Sequence, residues 1–178
     1  MEQNTAEVLS VVINAIGVGI LIFVARVIQP MMDAMDPDAF RSFLNALNRQ
    51  AMRDPFSVTV ATLPLIAFIL YVACYGVGHL WFIAGFVAWI IGSAITKIVN
   101  LPIYNSAARS TSIPPDLLRR QCARLRLGNG LRAWITLISV ILMSCQFGVL
   151  PVLAVLPASA AISFPLSLMA RSFASRQT

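Results

Sequence analysis

Residues 58–99 read VTVATLPLIAFILYVACYGVGHLWFIAGFVAWIIGSAITKIV, and Lys97 is the one charged residue in this stretch. A helix needs about 20 apolar residues to cross the hydrocarbon core of a bilayer. The stretch therefore predicts two membrane spans, 58–77 and 80–99, which are separated only by the short Gly78-His79 joint.

Three further apolar runs extend this pattern, at 8–28, 131–150 and 152–170. The last two runs together would form a helix of about 60 Å, which is twice the bilayer core, so the chain must turn near residues 148–151. We expect the run 152–170 to return through the membrane, and the alternative is a tail that lies along the interface. The sequence thus predicts an all-α membrane protein with a single domain, 1–178. Its fold would be a four-helix transmembrane bundle with an amphipathic cytoplasmic helix and a fifth C-terminal apolar segment.

The composition agrees with this class, because 58% of the residues are hydrophobic and 11% are charged, with a mean hydropathy of +0.81. Soluble domains have about 45–50% apolar and about 25% charged residues. Three cysteines without a CxxC spacing and a single histidine, His79, exclude a disulfide framework and the histidine-rich metal sites of membrane oxidases. No nucleotide-binding fingerprint occurs. We therefore predict no metal and no cofactor.

The charges predict the orientation of the chain. The net charge is +6, and the basic residues cluster in the loops that follow the first and third runs. A positive loop beside membrane spans indicates a cytoplasmic location and contact with anionic lipid rather than with nucleic acid. We expect loops 29–57 and 100–130 in the cytoplasm, the N-terminus outside, and the protein in the cell (inner) membrane. Seven basic residues lie from the end of the third run to the start of the fourth: Lys97, Arg109, Arg119, Arg120, Arg124, Arg126 and Arg132.

Both cytoplasmic segments are predicted to contain helices. Asp36-Pro37-Asp38 is a typical helix start, and apolar residues at helical spacing then predict an amphipathic helix over 37–53 at the membrane surface. A second helix is expected over 113–127, with Gly128 as its C-cap. Within the third span, small residues on one stripe predict a helix-packing face: Ala84, Ala88 and Gly92.

Polar residues at the ends of the third and fourth spans are the strongest candidates for a site. Asn100, Asn105, Asn129 and Arg132 are expected at one depth, and Asn48 can reach this level from the amphipathic helix. Two interpretations are open. Arg132 could extend to lipid phosphates while the amides join helices, or the four groups could form a polar pocket. Two residues outside this cluster have simpler predicted roles: Asn14 as an interhelical hydrogen-bonding residue and His79 as an interfacial one.

At these residues the sequence resembles the anthrone oxygenase-like family of small integral membrane proteins, many of them of unknown function. The resemblance covers roughly residues 10–150. It consists of four blocks: Gly17 and Gly19 followed by Pro30; Phe40-x-x-Phe43-x-x-x-Leu47-Asn48-Arg49 followed by Asp54-Pro55-Phe56; Asn100-x-Pro102-x-x-Asn105; and Asn129-x-x-Arg132.

The resemblance implies an oxygenase that oxidises an anthrone-like planar aromatic with O2 and needs no evident metal or flavin. Arg132 would hold the developing oxyanion, and the amides of Asn100, Asn105 and Asn129 would position the substrate oxygens. Further contacts to the substrate would come from Asn48, Tyr104 and Phe43. The sequence predicts no carboxylate inside the spans. The base is therefore left open among a phenolate of the substrate, water and His79.

The basic loop 100–130, taken alone, indicates a second class of function. The protein could be a non-enzymatic membrane protein that binds a lipid or a partner subunit through this loop, as a homo-oligomer or as part of a membrane complex. A small transporter is disfavoured, because the chain has no inverted repeat and no acid predicted inside the spans.

Overall fold

The computed structural model describes residues 2–109 and 114–174, and this part of the chain is helical, without strands. Four of its helices are long and apolar enough to cross a membrane. The protein is therefore an all-α integral membrane protein, as the apolar runs predict.

Six helices form the described part of the chain. Two of them, α1 and α4, contain a π-helical turn near the C-terminal end. The bounds are α1, Gln3–Phe23 with a π turn Val24–Ile28 and a last turn Gln29–Asp33; α2, Pro37–Arg53; α3, Pro55–Tyr75; α4, Leu80–Ile95 with a π turn Thr96–Asn100 and a continuation Leu101–Arg109; α5, Pro115–Cys145; and α6, Val149–Ala174.

Each π turn ends two residues before a proline, Pro30 in α1 and Pro102 in α4. Proline has no N–H to donate to the carbonyl four residues earlier, and its ring crowds that carbonyl. The wider turn adds one residue to the helix, which then continues past the proline. The side chains beyond each π turn consequently face a different direction from the one that a regular helix would give them.

The spanning helices are longer than the apolar runs, because polar residues occupy their first or last turns. The prediction of a separate helix over 113–127 is wrong, since α5 passes through Gly128 without ending and continues to Cys145. Residue 113 itself lies outside the described residues. A Cβ on Gly128 would come within 2.5 Å of Asn100 Oδ1, so this glycine permits close helix packing rather than a helix end. α6 covers the run 152–170 but is not one of the four spanning helices.

α2 folds over the end of the bundle that carries the basic residues. Asp36 caps its first turn by accepting from the Asp38 and Ala39 amides at 3.0 and 2.9 Å. Asp54 separates α2 from α3 and accepts from the Ser57 hydroxyl and amide. These two hydrogen bonds stabilise the carboxylate, so they lower the pKa of Asp54.

Two apolar clusters lie at opposite ends of the bundle. The cluster at the basic end joins α1, α2, α4 and α5, and consists of Met32, Phe40, Leu44, Ile103, Ala107, Leu118, Cys122 and Leu125. The cluster at the other end joins α1, α3, α4 and α5, and consists of Ala6, Tyr71, Phe82, Phe86 and Met143. The polar interior described below lies between them.

α4 and α5 form the most extensive helix interface of the protein. Gly85 and Gly92 are buried in it, whereas Ala84, expected on the packing face, is exposed. A Cβ on Gly85 would come within 2.7 Å of the Ser139 carbonyl oxygen and 2.9 Å of the Met143 amide. Because backbone atoms cannot move aside alone, the two helices can approach this closely only with glycine at position 85.

We expect Gly85→Ala to lower the free energy of unfolding by about 1–3 kcal/mol, because the added methyl group forces α4 and α5 apart. Thermal unfolding of the purified protein in detergent measures this change. Gly19→Ala is the matched control, since Gly19 is exposed on α1 and has no atom within 4 Å of an added Cβ. A loss of stability in Gly19→Ala as large as that in Gly85→Ala would contradict the close-packing argument.

Candidate functional site

A partly open cavity of about 360 Å³ lies between α1, α2, α3, α4 and α5. Its wall is mostly apolar, and its polar groups come from all five helices. The polar and aromatic residues that line it are Asn14 on α1, Asn48 on α2, Ser57 on α3, Trp89, Ser93 and Tyr104 on α4, and Asn129, Arg132 and Thr136 on α5. Pockets of about 300–1,000 Å³ with a few converging polar groups are typical of small-molecule sites.

Arg132 is the one basic residue that lines this cavity. It is half-buried, and none of the ion pairs among the described residues involves it. Tyr104 lies near enough to interact electrostatically with the guanidinium. A cation that faces an apolar cavity without an acidic partner is costly unless an anionic or strongly polar group occupies the space beside it.

Three buried amides form a hydrogen-bonded chain next to the cavity, which we call the amide chain: Gln29, Asn129 and Asn100. Asn129 Nδ2 donates to Gln29 Oε1 at 2.9 Å, and Asn100 Nδ2 donates to Asn129 Oδ1 at 2.8 Å. The π turns position both outer members, since Gln29 follows one turn and Asn100 ends the other. The chain therefore joins α1, α5 and α4 at one depth and fixes the orientation of the Asn129 side chain in the cavity wall.

The structure brings together some of the predicted site residues but not all of them. Asn48, Tyr104, Asn129 and Arg132 line the cavity. Asn100 is fully buried behind Asn129, and its Oδ1 atom has no hydrogen-bond partner.

Two of the predicted positions lie elsewhere. Asn105 is exposed and does not line the cavity, so the expectation that it holds a substrate oxygen is wrong. Phe43 packs against the apolar cluster at the basic end and is not part of the cavity wall either.

Sequence reasoning missed Gln29 and gave Asn14 too small a role. Asn14 is 1% exposed and donates to the Ser10 carbonyl at 2.9 Å and weakly to Met143 Sδ, while its Oδ1 atom has no partner. It also lines the cavity, at a level about 22 Å along α1 from Gln29, the partner of Asn129. The only signal in the sequence was an asparagine within an apolar span.

A second polar cluster lies at the opposite end of the bundle. Glu7 is fully buried, accepts from the Tyr71 hydroxyl, and pairs with His79 Nδ1 at 2.5 Å. Gln3 Nε2 donates to the Tyr71 oxygen at 2.9 Å. The expectation of no carboxylate inside the spans is wrong, because α1 begins at Gln3 and includes Glu7 in its second turn. His79 is correspondingly a partner of a buried acid rather than a free interfacial residue.

The two polar regions cannot serve the same bound molecule. Seven residues of helix, about 10 Å, separate Glu7 from Asn14, and the apolar cluster with Phe82 and Phe86 occupies the same level as Glu7. Within the described residues, no three His, Cys, Asp or Glu side chains are grouped closely enough to hold a metal ion. The cavity can therefore bind an oxygen-bearing apolar molecule beside Arg132, while the Glu7 cluster ties the helix ends together.

No family model, curated protein or solved structure matches the chain.

Proposed function

We propose that the protein is a cofactor-independent membrane oxygenase that oxidises an anthrone-like planar aromatic with O2. The observation that supports the proposal is the position of Arg132, a cation in the wall of a partly open, mostly apolar cavity, without an acidic partner among the described residues. The resemblance of the four sequence blocks to anthrone oxygenase-like proteins supports the same chemistry.

The polarity of the cavity matches that of an anthrone-like substrate. An anthrone is apolar apart from its oxygens, and loss of a proton from its doubly benzylic CH2 gives a delocalised anion with its charge on the carbonyl oxygen. The Arg132 guanidinium would stabilise this oxyanion, and the Asn129 amide, held by the amide chain, would donate to a second oxygen. Trp89 and the apolar walls would contact the ring faces.

The overall reaction balances with O2 as the only oxidant. An anthrone and O2 give an anthraquinone and water. Four electrons leave the substrate, one oxygen atom becomes the new carbonyl, and the other leaves as water. The substrate anion itself can reduce O2, so the tasks of the protein are binding, orientation and stabilisation of charge.

Neither Glu7 nor His79 of the second polar cluster is the proton acceptor. Glu7 and His79 lie at the opposite end of the bundle, behind an apolar cluster, so neither can reach a molecule held at Arg132. We propose that water in the cavity or a phenolate of the substrate accepts the proton.

We also propose that the basic end of the bundle faces the cytoplasm and that the protein lies in the inner membrane of the cell. The distribution of the basic residues supports this orientation.

Oxygen uptake by the purified protein with anthrone as the probe tests the proposal. Wild-type protein is expected to consume O2 faster than anthrone does in detergent alone. Gly17→Leu is expected to lower this rate about tenfold or more, because Gly17 lines the cavity and an added side chain occupies it. Gly19→Leu, on the same helix but outside the cavity wall, is expected to retain the wild-type rate. Wild-type uptake equal to the background would refute the oxygenase.

A further inference from the structure

We propose that a groove on the outer surface of the bundle, between α1 and α5, is a binding site for one anionic phospholipid. This α1–α5 groove has a volume of about 490 Å³ and is separate from the interior cavity. Its defining residues are Arg26, Asp33, Arg126, Gly130, Ala133 and Trp134. The site goes beyond the proposed oxygenase, since it neither lines the cavity nor depends on Arg132.

The polarity of the groove changes along its length as the polarity of a lipid does. Asp33 and Arg126 form one end, Ile22 and Leu137 form the other, toward the middle of the bundle, and Arg26 lies between them, one turn from Ile22. Eleven residues separate Ile22 from Asp33, and eleven separate Arg126 from Leu137, which is about 16 Å of helix in each case. One leaflet contributes about half of a 30 Å hydrocarbon core. The groove therefore matches the headgroup and upper acyl chain of a lipid in the leaflet beside the basic segments.

The charges that line the groove favour an anion. Arg126 pairs with Asp33 through Nη2 and Nε at 2.7 and 3.0 Å. Arg26 is exposed and takes part in none of the ion pairs found among the described residues. The groove consequently has a surplus of one positive charge, which complements one phosphodiester. A zwitterionic lipid would add an ammonium group beside two guanidinium groups, so we expect it to bind more weakly.

Small side chains form the floor of the groove and leave room for an acyl chain. Ala25, Gly130 and Ala133 supply this floor, and an added Cβ on Gly130 would have no atom within 4 Å. Trp134 forms one wall and is 66% exposed on the outer surface of α5. Tryptophan is enriched near the membrane interface, where its ring packs beside lipid chains and its N–H reaches polar groups.

Two pairs of variants distinguish lipid binding in the groove from nonspecific lipid contact elsewhere on the protein. Gly130→Leu adds a side chain at the floor of the groove, where an added Cβ would have no atom within 4 Å, and Gly19→Leu adds the same side chain to an exposed position of α1 outside the groove. Arg26→Gln removes the surplus charge, and Arg124→Gln removes an exposed arginine of α5 that does not line the groove. Because the second pair leaves the packing unchanged, it tests the site even if Gly130→Leu folds poorly.

Native mass spectrometry of the detergent-purified protein measures the retained lipid. We expect one phosphatidylglycerol per chain to be retained, with phosphatidylcholine of the same acyl chains retained about tenfold less. Gly130→Leu and Arg26→Gln should each lower phosphatidylglycerol retention about tenfold, while Gly19→Leu and Arg124→Gln retain it.

Four results would overturn the proposal. Equal retention of both lipids, or equal loss in the test and control variants, would indicate nonspecific lipid contact. Displacement of the lipid by millimolar inorganic phosphate would identify a free-anion site instead. Loss of a dimer rather than of lipid in Gly130→Leu would identify the groove as an interface between two copies of the chain.

Discussion

Arg132→Ala is expected to lower kcat for anthrone oxidation about 10²–10³-fold, the loss found when one preorganised charge-stabilising donor is removed from an active site. The physical reason is that the guanidinium faces an apolar cavity, where its interaction with a developing oxyanion is weakly screened. The measurement is the initial rate of O2 uptake at saturating anthrone, with product formation followed by absorbance.

Arg124→Ala is the matched control for this prediction. Arg124 lies on the same helix, eight residues earlier, and is exposed outside the cavity. Its replacement is expected to leave kcat unchanged. Arg132→Lys tests the geometry, because a lysine restores the charge but not the planar group of donors, and we expect only partial recovery. If Arg132→Ala retains the wild-type kcat, the guanidinium has no part in the reaction.

Glu7→Ala is expected to lower the free energy of unfolding by about 3 kcal/mol. The carboxylate is fully buried, accepts from the Tyr71 hydroxyl and pairs with His79 Nδ1, so its removal leaves a buried hydroxyl without this acceptor and a histidine without its acid. The estimate is at the low end for a buried pair, because the His79 side chain is 34% exposed and partly screened by solvent. Thermal unfolding in detergent measures the loss.

Two further variants locate the source of this stability. Glu2→Ala, one turn away at an exposed position, is expected to change the free energy of unfolding by less than about 0.5 kcal/mol. In a double-mutant cycle, Glu7→Ala and His79→Ala should be strongly non-additive, because each removes the same contact. Additive effects of the two substitutions would show that the pair does not hold α1 to the joint between α3 and α4.

The fold class could be predicted from the sequence because apolar content and run length are direct consequences of burial in lipid. The ends of the helices could not be predicted in this way. Burial in lipid requires apolar residues within the span, but it does not determine how many polar turns the helix has beyond the span. Glu7 shows the consequence, because the first apolar run begins at residue 8 whereas α1 begins at Gln3. The buried acid therefore lies in a turn that the hydropathy pattern leaves outside the span.

The site could be predicted where its residues lie on one face of a regular helix. Asn129 and Arg132 are three residues apart, so they share a face of α5 and both line the cavity. Asn105 follows Asn100 by five residues, which rotates it about 140° around the helix axis, and it is accordingly exposed while Asn100 is buried.

Gln29 could not have been found by counting along a regular helix. The π turn before it changes the helical register, and its partner Asn129 is distant in sequence. The same limit applies to Gly128, where glycine is typical of a helix end but here allows the Asn100 side chain to approach. Only the tertiary arrangement distinguishes these two roles of glycine.

The extra residue in each π turn also makes the two helices sensitive to insertion and deletion in a specific way. Five residues of a π turn cover about the same angle as four residues of an α-helix, so deleting one residue within 24–28 would restore ordinary helical winding and leave the later side chains of α1 facing as they do now. Gln29 would still point toward Asn129, and Asp33 would still lie beside Arg126. A deletion in the regular part of α1 would instead turn every later side chain by about 100° and separate both pairs. A homologous chain could therefore lose one residue within the π turn and keep the scaffold together with the amide chain.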